Sequence, residues 1–166
     1  MYETARHERL IEIDWNESCA REAIERIVQD AHSGFDPDHL WPGHPLDGPR
    51  REHPSRMLYF GAAGVIWALN YLNRVGATAI KHDYTTTLAA LAPHNRSDLN
   101  LTEPNCFSYL MGDVGIHLVQ WRIDPTEELA DAMFRAIQAN TTHPAREFMW
   151  GAPGTMLAAL FMYEFT

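Results

Sequence analysis

The chain has 166 residues, with 46% hydrophobic and 21% charged residues and a formal net charge of −9. This length fits a single domain, 1–166, that needs no disulfide or metal to hold its core. The acidic balance argues against nucleic acid and against an anionic membrane as partners, because both attract clustered lysine and arginine. Two isolated cysteines and a polar N-terminus without a secretory signal predict a cytoplasmic protein.

The first predicted helix is amphipathic and follows residues 14–17, where Asn16 is one candidate for the N-terminal cap. Its apolar stripe continues up to Gly34, which stands where a C-terminal cap belongs. Residues 35–56 are rich in proline and glycine and are predicted to form a long loop, which inside one domain is usually functional. Three apolar residues are expected to attach it to the surface beneath: Leu40, Trp41 and Leu46.

Five further helices are predicted after this loop. The second, over about 61–72, is apolar almost all round, which predicts burial on every side. The third, over 83–92, is expected to end at the proline that follows it. The fourth covers about 112–123, and residues 124–125 are expected to cap and begin the fifth. The sixth begins near Gly151 and continues to the end of the sequence.

Amphipathic and apolar helices therefore alternate along the chain. Two concentric layers explain this order, with apolar helices inside and half-exposed helices packed around them. The predicted fold is all-α, an α/α toroid of about three helical hairpins. The sixth helix is apolar and has no outer helix after it, which indicates an incomplete barrel. We expect such a chain to self-associate through this exposed apolar helix.

A four-residue motif that begins and ends with glycine occurs three times, each time after an apolar pair and before an apolar helix. Its glycines are Gly61, Gly64, Gly112, Gly115, Gly151 and Gly154. Starts at 61, 112 and 151 leave room for one helical hairpin per repeat. Glycines three apart share a helical face and expose first-turn amides, so all six are candidates for binding an anionic or peptide group. Close packing of the helices is the alternative explanation.

The segments 58–67, 109–116 and 147–158, which contain these motifs, resemble the lanthionine synthetase C-like family, and residues 40–47 resemble a segment of its bacterial branch. The resemblance covers nearly the whole chain. It implies a double-layered toroid that modifies a peptide substrate, in which a cysteine thiol adds to a dehydrated Ser or Thr to give a thioether ring.

The same resemblance implies zinc, which the family holds with two cysteines and a histidine in Trp-Cys-x-Gly and Cys-His-Gly motifs. This sequence contains neither motif, and its nearest match, 149–151, reads Met-Trp-Gly. We therefore expect the chain to correspond to the N-terminal part of a toroid, to carry no metal site and to be inactive alone. Zinc is expected only in a longer family member.

Two residues are candidates for proton transfer. Glu147 stands four residues before Gly151, where several members of the family have a carboxylate, and a solvated loop carboxylate is the alternative. His117 follows Gly115 on a predicted inner helix and is either a cavity acid or base, or a hydrogen-bonded core residue.

Two other functions remain open at this stage. One is a non-catalytic module that binds a peptide or a thiol. The other is a carbohydrate-active toroid in which Asp113 and Glu147 form a pair of carboxylates.

Overall fold

The structure is a computed structural model that describes residues 12–43 and 54–165. Those residues form six α-helices and a 3-10 turn, and they contain no β-strand. The elements are α1 (Glu17–Ser33), α2 (Ala62–Arg74), α3 (Thr85–Asp98), the 3-10 turn (Asn105–Phe107), α4 (Asp113–Ile123), α5 (Glu127–Asn140) and α6 (Ala152–Phe165). The all-α prediction is confirmed for this part of the chain. No helix among the described residues is long and apolar enough to cross a membrane.

The predicted limits of α1 are confirmed. The Asn16 side chain accepts a hydrogen bond from the backbone N–H of Cys19 over 3.0 Å and caps the first turn. At the other end, the N–H of Gly34 donates to the carbonyl oxygen of Asp30.

The beginning of the 35–56 loop is attached to α1 as expected. Leu40 is buried, and the indole Nε1 of Trp41 donates to the carbonyl oxygen of Ala31 over 2.7 Å. The expectation for Leu46 falls in 44–53, outside the described residues.

The predicted end of α3 was wrong, because the helix continues through Pro93 to Asp98. A proline in a helix removes one backbone hydrogen bond, here to the carbonyl of Ala89. Both Pro93 and Ala89 are exposed, so water can reach that carbonyl and the helix tolerates the loss.

The predicted start of α5 was also wrong. Thr126 is its N-cap, and the side-chain oxygen accepts from the backbone N–H of Leu129 over 3.2 Å. Residues 124–125 therefore precede the helix, because threonine supplies a capping oxygen at the position next to the first helical turn.

The expected burial of α2 on every side was wrong as well. Trp67 is 50% exposed and Tyr71 is 44% exposed, whereas Ala63 and Ile66 are fully buried. Helix α2 therefore has one buried side and one exposed aromatic side.

Helices α2, α4 and α6 pack against one another in chain order, with α3 against α2 and α4, and α5 against α4 and α6. Helix α4 lies at the centre and separates two clusters of buried side chains. Ile116 and Val119 pack in the cluster shared with α2 and α3, and Val114 and Trp121 pack in the cluster shared with α5 and α6. The pairs α3–α4 and α5–α6 are helical hairpins of the predicted kind.

Helix α1 is placed differently from α3 and α5. A groove on its first turns is lined by Ala20 and Ile24 together with Val75, which follows α2. Near its end, Nδ1 of His32 lies 3.0 Å from the hydroxyl of Tyr84, at the start of α3. Helix α1 thus packs against the connection between α2 and α3, and the long 34–61 segment joins it to α2.

Candidate functional site

All three glycine motifs adopt the same close turn. In each motif, the second glycine lies against the carbonyl oxygen six residues earlier, at a position where a Cβ would come within 3.0 Å of that oxygen. The pairs are Gly64 with Leu58, Gly115 with Tyr109, and Gly154 with Phe148. The first glycines are equally tight, since a Cβ on each would meet backbone atoms four to six residues earlier. The preceding segment thus folds back over the start of the helix in every repeat.

The three turns stand side by side in chain order. A Cβ on Gly115 would lie 2.9 Å from the Cβ of Leu58, and one on Gly154 would lie 3.0 Å from the Cβ of Tyr109. The backbone N–H of Tyr59 donates to the carbonyl oxygen of Leu110 over 3.2 Å, which links the first two turns directly. The helix starts of α2, α4 and α6 are therefore neighbours at one end of the molecule.

Two buried asparagines hold the second and third turns in place. Nδ2 of Asn95, on α3, donates to the carbonyl oxygen of Met111 over 2.9 Å, and Nδ2 of Asn140, on α5, donates to that of Trp150 over 3.0 Å. Each acceptor is the residue directly before the first glycine of its motif. Our sequence reasoning missed both residues, although an asparagine late in the helix before each motif was the available signal.

His143 adds a further link between the second and third turns. Its Nδ1 accepts from the N–H of Ala145, so its Nε2 carries the proton that it donates to Oδ1 of Asn105 over 2.8 Å. The segments before both motifs are thereby joined by a buried side chain.

The packing explanation accounts for all six glycines, since each faces backbone that a Cβ would strike. At the first motif, the amides of Ala62 and Ala63 also donate to the carbonyl oxygens of Ser55 and Arg56. The first-turn donors of α2 are thus used within the chain. Ligand binding by the glycines stays a prediction.

Glu147 lies exposed in the turn before α6. Its two carboxylate oxygens accept from the backbone N–H groups of Met149 and Trp150, over 2.7 and 2.8 Å. This carboxylate therefore stabilises the third glycine turn. Its part in proton transfer stays a prediction.

Asp113 and His117 belong to a polar cluster between α3 and α4. Asp113 is only 1% exposed, and its Oδ2 is paired with the guanidinium of Arg96 on α3. Within the described residues, three buried atoms of this region have no hydrogen-bond partner: Ser108 Oγ, Asp113 Oδ1 and His117 Nδ1. Asp113 and Glu147 each have a local partner of their own, and their pairing as two catalytic carboxylates stays a prediction.

The chemistry of this cluster is set by burial. Burial lowers the pKa of His117, against the opposing effects of the Asp113 charge and a hydrogen bond with Gln120. Burial raises the pKa of the Cys106 thiol, which disfavours the reactive thiolate. His117 is thus favoured as a neutral imidazole and Cys106 as an inert thiol.

The lowered pKa of His117 predicts a pH dependence of stability. As the pH falls below the ordinary value of 6.5, the unfolded chain takes up a proton at His117 more readily than the folded chain does. The free energy of unfolding should therefore decrease with acidification. His117→Leu should remove this contribution, because leucine does not titrate. The substitution should be tolerated, since the equivalent residues, Ile66 on α2 and Met156 on α6, are apolar.

The measurement is the urea-unfolding midpoint of both proteins between neutral and mildly acidic pH. The variant should lose less stability than the parent chain over that interval. Equal losses in the two proteins would show that His117 titrates alike in both states.

The second glycines of α4 and α6 are buried, but further along each motif helix the side that carries the second glycine bears aromatic or guanidinium side chains. On α4, Ile116 faces the α2 cluster, Trp121 faces the α5 and α6 cluster, and Asp113 faces α3. The remaining side of α4 carries Gly115 and Arg122. We call this side of α2, α4 and α6 the glycine stripe. Besides the second glycine of each motif, it contains Trp67, Tyr71, Arg122, Phe161 and Phe165.

The glycine stripe combines exposed aromatic rings with guanidinium groups. The rings of Trp67 and Tyr71 stack with centroids 5.7 Å apart and an angle of 18° between their planes. The guanidinium carbon of Arg74 lies 5.8 Å from the Tyr71 centroid, and that of Arg122 lies 3.2 Å from the Phe165 centroid. Such a surface can bind apolar, aromatic and anionic groups together.

An open pocket of about 410 Å³ lies apart from the motifs, between His32, Phe35 and His82. Tyr84, which is buried, also lines this pocket, and burial raises the pKa of its hydroxyl. Among the residues that the structure describes, no cluster of three or more His, Cys, Asp or Glu side chains is arranged to hold a metal ion.

Comparisons of the chain with protein-family models, with curated proteins and with solved structures give no match. A function for the chain is therefore inferred from the geometry described above and from the resemblance of its sequence motifs.

Proposed function

We propose that the chain is part of a lanthionine synthetase C-like α/α toroid and that its glycine stripe forms a wall that binds a peptide. The observation that carries the proposal is the repeated glycine turn. Three such turns in contact, each starting one of three helices packed in series, are what an inner layer of a toroid requires. Helices α3 and α5, packed on that series, fit an outer layer.

The composition of the glycine stripe supports a peptide as the ligand. The chain carries a formal charge of −9, yet Arg74 and Arg122 both lie against aromatic rings of this one surface. Guanidinium groups on aromatic faces pair with carboxylates and with backbone carbonyls, and the exposed rings of Trp67 and Tyr71 offer apolar contact area. A peptide presents all of these groups within a short length.

The residues of this chain do not fit the zinc chemistry that the resemblance implies. The sequence lacks the expected cysteine and histidine motifs, and burial raises the pKa of Cys106 instead of activating it. The proposal therefore gives this chain the tasks of scaffold and peptide binding. Thiol addition is left to the zinc-bearing part of a longer family member.

The test is the affinity for a fluorescein-labelled peptide rich in serine, threonine and cysteine, measured by fluorescence anisotropy. Trp67→Ala should weaken binding about tenfold, a loss of about 1.4 kcal/mol, because a stacked aromatic side chain is typical of a binding hot spot. Trp15→Ala is the matched control, since Trp15 is 82% exposed and lies before α1, outside the stripe. Equal affinities of both variants would contradict the proposal.

The stacked Trp67–Tyr71 pair also supports a carbohydrate as the second candidate ligand, because sugar rings pack on exposed aromatic faces. Competition with an unlabelled soluble oligosaccharide distinguishes the two ligands. Displacement of the peptide by the sugar at comparable concentration would favour the carbohydrate-active alternative.

A further inference from the structure

Helices α4 and α6 each have one face that contacts the preceding motif helix. We call this face, and the equivalent face of α2, the leading face. It consists of the first, fourth and eighth residues after the second glycine. On α4 these are Ile116, Val119 and Ile123, on α6 they are Thr155, Ala158 and Met162, and on α2 they are Val65, Ala68 and Leu72. The first two positions are buried on α4 and α6 but only half-buried on α2. The leading face of α2 is thus the least covered of the three, although Val65 and Leu72 still pack against the cluster that contains Val28 of α1.

The opposite face of each motif helix is called the trailing face. On α2 and α4 it contacts the repeat that follows. On α2 it includes Ala63 and Ile66, which are fully buried. The equivalent residues of α6 are Pro153, which is exposed, and Met156, which is 63% exposed. Leu160 of α6 is 58% exposed, whereas the equivalent Trp121 of α4 is buried. The trailing face of α6 is therefore an apolar surface of the kind that α3 and α4 cover on α2.

The loops before the helices show the same pattern. Leu58 packs on Gly115 and Tyr109 packs on Gly154, so each turn contacts the second glycine of the next turn. The equivalent Phe148 is 42% exposed. At the other edge, Gly64 is half-buried, and among the residues that the structure describes a Cβ there would meet only the backbone of Leu58 in its own turn. The two edges of the chain thus carry the two complementary halves of one interface.

We propose that a second copy of this chain docks head to tail, with the leading face of its α2 against the trailing face of α6. The contact continues the α2–α4 and α4–α6 interfaces and places Phe148 of one copy on Gly64 of the next. Such an interface is heterologous, because different surfaces of the two copies meet, and it produces either a closed ring or an open chain. This contact follows from the geometry of the repeats and does not depend on peptide binding.

Charge predicts the salt dependence of this association. Each copy carries a formal charge of −9, so two copies repel at low ionic strength, while the docking faces are apolar. Added salt screens the repulsion and leaves the apolar contact in place. Association should therefore strengthen as salt is raised.

The experiment is sedimentation velocity over a concentration series of the full chain, with one variant that blocks each edge. Leu160→Asp blocks the trailing face and Ala68→Asp blocks the leading face. Each variant alone should remain a monomer, and an equimolar mixture should form a dimer, because one intact pair of faces remains. Ala89→Asp, at an exposed position of α3 in the middle hairpin, is the matched control and should associate as the parent chain does.

The mixture also guards against a folding artefact, since only folded variants can complement each other. Phe148→Asp, in the loop before α6, is the second trailing-edge variant and should behave as Leu160→Asp does. A parent chain that stays monomeric at every concentration would overturn the proposal. So would an Ala68→Asp variant that still dimerises alone, because this result would indicate a symmetric contact between two α6 faces.

Discussion

Gly115→Ala is expected to destabilise the folded chain by about 3 kcal/mol, the upper part of the usual range for overpacking a tight interior. The new Cβ would strike the carbonyl oxygen of Tyr109 and lie 2.9 Å from the Cβ and Cδ2 of Leu58. Backbone blocks it on one side and a neighbouring turn blocks it on the other. The clash therefore separates the first glycine turn from the second as well as straining the second.

The measurement is the free energy of unfolding from urea titration followed by circular dichroism. Gly43→Ala is the control, because a Cβ there meets no atom of the described residues within 4 Å. A Gly115→Ala chain as stable as the control would mean that the turn opens without cost, and the repeated turn would then not hold α2, α4 and α6 together.

The glycine motif is the part of the fold that could be predicted best from the sequence. Three helix starts near 61, 112 and 151 were expected, and α2, α4 and α6 begin within two residues of those positions. The pattern was readable because glycine and apolar spacing are local properties of the chain. The contact between Leu58 and Gly115 was not readable, since it joins atoms of two turns that only the packed structure brings together.

The wrong boundaries have a common physical origin. The end of α3 at Pro93 and the start of α5 at residues 124–125 were predicted from the conformational preferences of single residues. The observed helix ends depend instead on access of water to the backbone and on the position of a capping oxygen. The exposed positions of Ala89 and Pro93 let α3 continue past the proline, and the Thr126 side chain caps α5 from the position after residues 124–125. The preferences of single residues decide a helix boundary only when solvent access and neighbouring capping groups do not favour another position.

Helix α1 and the buried asparagines mark the limit of sequence reasoning. An amphipathic stripe predicts that α1 is half-buried but not which element covers it, and it packs on the connection after α2. Asn95 and Asn140 read as polar residues near helix ends, yet both are buried on a carbonyl before a glycine motif. Their hydrogen bonds to the carbonyl oxygens of Met111 and Trp150 can be recognised only in the folded structure.

The candidate site divides in the same way. His117 and Asp113 were placed on the correct helix, and their shared cluster with Arg96 depends on how α3 packs against α4. Glu147 was placed before the third motif, and its hydrogen bonds to two backbone amides follow from the turn that the glycines allow. The residue types were thus predictable, and their partners were not.

Arg96→Leu is expected to destabilise the chain by about 3–5 kcal/mol, the usual cost of leaving a buried charge without its partner. Asp113 is 1% exposed and its second oxygen already lacks a partner within the described residues, so the carboxylate would lose its main stabilising contact. Arg96 itself is 47% exposed, so its own removal exposes little new apolar surface. The loss therefore comes from Asp113, and the urea-unfolding free energy at neutral pH measures it.

The double variant Arg96→Leu, Asp113→Asn separates charge from packing. An amide at position 113 carries no charge to desolvate, so the double variant should recover most of the stability that Arg96→Leu alone loses. If the double variant were as unstable as the single one, the contribution of Arg96 would lie in its packing between α3 and the 3-10 turn, where its guanidinium carbon lies 5.7 Å from the Phe107 centroid.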